Sequence, residues 1–110
     1  MSRHQAVWIT GLGAVTPLGT HFDEISANLL AGKSGISRVR GFDDSEHPCR
    51  IAGHVAPITC PVGFDPAMFE TLFPLERSVV RCCVDALQDS GLWSEREHFK
   101  IWNDILNGPA

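Results

Sequence analysis

An apolar run that ends in closely spaced glycines opens this 110-residue chain and limits the local folds available to it. Val7, Trp8, Ile9 and Thr10 all favour strands. The near-continuous apolar character of Ala6 to Thr10 predicts a strand buried on both faces, as in a parallel sheet. Gly11, Gly13, Pro17 and Gly19 then punctuate a loop. Helical spacing follows at Phe22, Ile25, Ser26, Leu29 and Leu30, with Thr20 or Asp23 as the cap. Gly32 is placed to end that helix in the left-handed conformation. The order is strand, glycine-rich turn, helix.

Further along, Lys33 to Pro48 reads as loop anchored by Ile36, Val39 and Phe42. Arg50 to Ala56 alternates as a short strand would, closed by Pro57, with Pro61 keeping the chain irregular. Asp65-Pro66 is an N-cap followed by proline at the first helical position, predicting a helix from Pro66 to about Leu72. Pro74 starts the longest predicted helix, ending near Ser90 with Gly91 behind it. Leu75, Val79, Cys82, Cys83, Ala86 and Leu87 lie along one face of it. Glu76, Arg77, Arg81, Asp85, Gln88 and Asp89 hold much of the other. Phe99, Trp102, Ile105 and Leu106 suit an amphipathic helix that Gly108 and Pro109 stop.

The length allows one ordinary domain, and 44% apolar with 20% charged residues is a globular composition. The nine Lys and Arg are scattered and the net charge is −4, which gives no reason to expect nucleic acid. No run approaches 18 apolar residues and no leader pattern precedes the first strand, so neither membrane insertion nor export is expected. The expected location is the cytoplasm, where Cys49, Cys60, Cys82 and Cys83 stay reduced.

Several chemical motifs fall short of their structural requirements. Gly11-Leu12-Gly13 lacks the third glycine of a dinucleotide fingerprint, because Thr16 stands there. Gly32-Lys33-Ser34 has the tripeptide of a phosphate loop but sits at a helix end, the wrong pole for an anion. His47, Cys49, His54 and Cys60 are four potential metal ligands in one region, yet their spacing matches no common zinc pattern. No G-x-S-x-G elbow occurs. The acid pairs Asp23-Glu24 and Asp43-Asp44 suit solvated positions or a helix start. Trp93, Phe99 and Trp102 are open to two readings, core packing or a partner-binding patch.

Taken jointly, the segments resemble the amino-terminal opening of the β-ketoacyl-[acyl-carrier-protein] synthases, the condensing enzymes. Ile9 to Gly19 is similar to the family's first strand and turn, and Leu29 to Ile36 to the end of its first helix and the loop beyond. Phe42-Asp43, Arg50 to Val55 and Phe64-Asp65-Pro66 follow in the expected order. Ala86 to Leu92 resembles the close of the next long helix. Residues 1–92 are expected to be the opening segment of the family's N-terminal domain, and 93–110 a divergent tail with helical character. Glu95 to Ala110 does not resemble the glycine-ended strand with which the family continues.

The resemblance implies an α/β chain, an incomplete N-terminal part of a thiolase-like layered αβαβα fold that is homodimeric in the family. It implies an acyltransferase chemistry, decarboxylative Claisen condensation in fatty-acid or polyketide synthesis. A cysteine carries the acyl group and two histidines stabilise the developing oxyanions, with no metal or organic cofactor. In the family these three residues lie in later segments, so no cysteine or histidine of this chain is assigned a catalytic role. Nor is any residue assigned to a cofactor or metal. The acyl carrier protein, which is acidic, docks in the family near basic residues before the long helix. Ala67 to Phe73 has none, leaving Arg77 and Arg81 as substitutes. The expected function is therefore an inactive fragment of a condensing enzyme, with uncovered apolar edges that favour association. The alternatives are a non-catalytic module that binds a condensing-enzyme partner or carrier protein, and a small zinc protein built on His47 to Cys60.

Overall fold

The computed structural model describes residues 4–98. Helix α1 (Phe22–Leu30) leads to a hairpin of β1 (Ile36–Arg38) and β2 (Ile51–Gly53). Helix α2 (Pro66–Glu70) follows, then α3 (Pro74–Ser90) and a 3-10 turn at Trp93–His98. The described residues thus form a mixed α/β unit with a two-stranded antiparallel sheet. Ile36 faces Gly53, Ser37 faces Ala52 and Arg38 faces Ile51. The Val39 N–H continues the pairing by donating to the Arg50 carbonyl at 2.8 Å.

Two sequence expectations fail at the strands. Ala6 to Thr10 forms no strand, and Val7, Trp8 and Ile9 are 90%, 83% and 81% exposed. A strand needs a partner for its backbone groups, and among the described residues no strand pairs with this segment. Residues 33–48 are also more ordered than a loop, since Ile36–Arg38 pairs with the predicted second strand, itself shorter than 50–56.

The helices follow their end signals. The Asp65 carboxylate accepts the Ala67 N–H at 3.0 Å ahead of Pro66, which starts α2. Pro74 starts α3, and the Glu76 carboxylate reaches back to accept the Phe73 N–H at 3.0 Å. Gly91 ends α3 at φ 79°. Helix α1 begins at Phe22 after His21, with no side-chain cap from Thr20 or Asp23. Behind α1, Gly32 takes φ 71°, its N–H donating to Leu29 and the Lys33 N–H to Asn28. That pair of bonds satisfies the last carbonyls of the helix.

Packing centres on the α2–α3 corner. Phe69 and Val84 are the buried hydrophobic side chains among the described residues. Phe69 meets Phe64 edge-on, with ring centroids 6.1 Å apart. Arg77 lies across Phe69 at 5.3 Å and donates to the carbonyls of Leu72 and Glu70 at 3.0 and 3.1 Å. It thereby ties the end of α2 to the start of α3. On α3 the predicted apolar face is covered only in part: Leu75 and Val79 are 76% and 55% exposed, Cys82 and Ala86 are half-buried, and Val84, which lies off that face, is buried. Phe99, Trp102, Ile105 and Leu106, predicted to form an amphipathic helix, lie outside the described residues. No helix among the described residues is long and apolar enough to cross a membrane.

Candidate functional site

The glycine-rich segment lies directly on the backbone of α3. A Cβ on Gly13 would fall onto the Cys82 carbonyl oxygen, with the Cys82 carbonyl carbon at 2.9 Å. One on Gly11 would strike the Ala86 carbonyl oxygen and stand 2.7 Å from the Ser90 nitrogen. Cys82, Ala86 and Ser90 are spaced four apart, so three small side chains form one ridge of the helix. Two glycines on the segment match that ridge. The Leu12 N–H between them donates to the Asp89 carboxylate at 3.0 Å. The Gly-x-Gly spacing therefore serves backbone contact with a helix side rather than a nucleotide at a helix start.

Beyond the seam the chain turns sharply. Thr16 and Gly19 exchange backbone hydrogen bonds of 3.0 and 3.1 Å around Pro17-Leu18, with Gly19 at φ 141°. The Thr16 hydroxyl donates to the Gly19 carbonyl and accepts the Leu18 N–H. Asn28 of α1 donates to the Leu18 carbonyl at 2.7 Å. Pro17 presses on the hairpin, where a Cβ on Gly35 or Gly53 would stand 2.6 or 2.8 Å from its ring. One turn thus joins α1 to the sheet, while the seam joins the same segment to α3.

Two clefts flank this junction. The first, of about 520 Å3, lies between the turn, α1 and Ala56 to Thr59, with Arg81 on its wall. The second, of about 570 Å3, lies between Leu12–Ala14, the start of α1 and the later half of α3. Thr20 and His21 line both.

The candidate residues from the sequence are not brought together. Among the described residues no group of three or more His, Cys, Asp or Glu side chains is arranged to hold a metal ion. Instead Cys49 donates to the Ile51 carbonyl, Cys60 to the Pro61 and Phe64 carbonyls, and His54 Nε2 to the Arg38 carbonyl. All four cysteines are free thiols. Burial pushes the Cys82 thiol above its ordinary value of 9.0. The neighbouring Cys83 and Asp85 add to the shift, against a hydrogen bond with the Val15 backbone and the Arg81 charge. Such a thiol is poorly disposed to act as a nucleophile at neutral pH.

Arg77 and Arg81, offered as substitutes for a basic docking patch, are both engaged internally. Arg77 holds the α2–α3 corner, and Arg81 pairs with Asp85 at 2.8 Å with only 17% of its side chain exposed. Trp93 packs its indole against Gly63 and carries Arg96 over its ring at 4.3 Å, so it is a packing residue. Sequence reasoning missed Asp89 as the anchor of the glycine segment. The available signal was the Cys82, Ala86, Ser90 ridge on the same helix.

Comparison with known proteins now fixes the relationship. Residues 4–103 match the family model described as beta-ketoacyl synthase, N-terminal domain. The chain is 38% identical over 98 residues to the 3-oxoacyl-[acyl-carrier-protein] synthase 2 of Coxiella burnetii, covering 84% of this chain and 22% of that protein. It is 33% identical over 97 residues to the tetracenomycin polyketide synthase ketoacyl synthase beta subunit of Streptomyces glaucescens, covering 88% and 24%. It is 32% identical over 111 aligned positions to the chloroplastic 3-oxoacyl-[acyl-carrier-protein] synthase II of Arabidopsis thaliana, covering 99% and 20%. The chain therefore spans between a fifth and a quarter of the length of these relatives. On this match the chain belongs to the β-ketoacyl synthase family and corresponds to part of its N-terminal domain.

Proposed function

We propose that this chain serves decarboxylative Claisen condensation as the opening part of a condensing enzyme, and that these 110 residues alone do not condense. The observation that carries the reading is the family match over residues 4–103, set beside relatives four to five times as long. The chemistry needs an acyl-carrying cysteine and two oxyanion-stabilising histidines, which the resemblance places in later segments. The chain's own part is scaffolding. The glycine seam fixes the first segment on α3, and the Thr16–Gly19 turn fixes α1 and the hairpin. In the whole enzyme, residues 1–92 belong to one half of a thiolase-like layered homodimer that works in the cytoplasm. Residues 93–110 are read as a diverging tail, although 93–103 still fall within the family match. The acyl donor arrives on an acyl carrier protein, the carrier that the names of two of the relatives include.

A second reading, a non-catalytic module that binds a condensing-enzyme partner, draws on the uncovered Val7 to Ile9 segment. The discriminating experiment incubates the 110-residue chain with acyl and malonyl carrier-protein thioesters and follows β-ketoacyl product. No product above the enzyme-free rate is expected. Product formed at a rate comparable to a full-length synthase would overturn the proposal. Stable 1:1 capture of a complete synthase, with the chain itself folding cooperatively, would favour the second reading.

A further inference from the structure

We draw no further inference here: the strongest candidate, the cleft between the Thr16–Gly19 turn, α1 and Ala56 to Thr59 with Arg81 on its wall, opens on a chain that spans between a fifth and a quarter of the length of its relatives, and nothing in the structure shows what covers it.

Discussion

At the residue scale the glycines of the first loop are spacers. Gly13 has no room for a methyl group, because the Cys82 carbonyl occupies that position. Gly13→Ala should therefore lift the segment from α3 and destabilise the chain by about 1–3 kcal/mol in urea titration, as overpacking does. A change within a few tenths of a kcal/mol would contradict the seam. Gly91→Ala tests a different property. Nothing crowds Gly91, but its φ of 79° is left-handed, so a cost of about 1 kcal/mol is expected from backbone strain alone. Cys82 carries a pH dependence. Its thiol stays protonated to higher pH in the folded state than in the unfolded one. Its contribution is fully present below about pH 9, the unfolded thiol value, and is lost as pH rises through the folded value. Stability of the native chain should therefore fall on the alkaline side, and Cys82→Ala should flatten that fall. Urea midpoints across this range check both.

At the element scale, helix ends were legible in the sequence and burial was not. Asp65-Pro66 and Pro74 to Gly91 carry their boundaries as local chemistry, and α2 and α3 start where those residues stand. The face of α3 depends on what lies beside it. Periodicity places Leu75, Val79, Cys82 and Ala86 on one inward face, but the glycine segment covers only the later pair, and the buried Val84 lies off that face. Ala6 to Thr10 shows the same limit. Its composition is that of a strand, yet composition cannot supply the strand beside it. Hydrogen exchange tests this directly. The amides of Val7, Trp8 and Ile9 should exchange at rates near those of unstructured peptide, while those of Val80 to Val84 in α3 are protected. The α2–α3 corner makes a further prediction. Arg77→Lys should lose most of what Arg77→Ala loses, about 1–2 kcal/mol, because a point charge cannot span the Leu72 and Glu70 carbonyls while stacking on Phe69.

At the scale of the whole molecule, the surface is the informative quantity. A compact protein of 12.0 kDa exposes about 6,000 Å2, whereas this chain exposes 9052 Å2. Its radius of gyration is 18.0 Å, against about 13 Å for a compact domain of this length. Large apolar side chains stand exposed along the described residues, among them Val7 to Ile9, Leu12, Phe22 and Leu30. Such a surface is covered in a working protein. In isolation the chain should associate, with its weight-average mass in sedimentation equilibrium rising above 12.0 kDa as concentration increases. A concentration-independent monomer would favour the separate binding module. The family was legible from the order of short motifs, since each reports a local turn or cap. Which segments pack on which was not, because such contacts join residues far apart in sequence.

The most direct test of the central claim, that these residues open a condensing enzyme, is to read the coding DNA beyond the Ala110 codon in all three frames. The account predicts that one frame carries the family pattern forward, with a cysteine among small residues and two later histidines. The absence of that pattern from every frame would contradict it, and the chain would then stand as a binding protein in its own right.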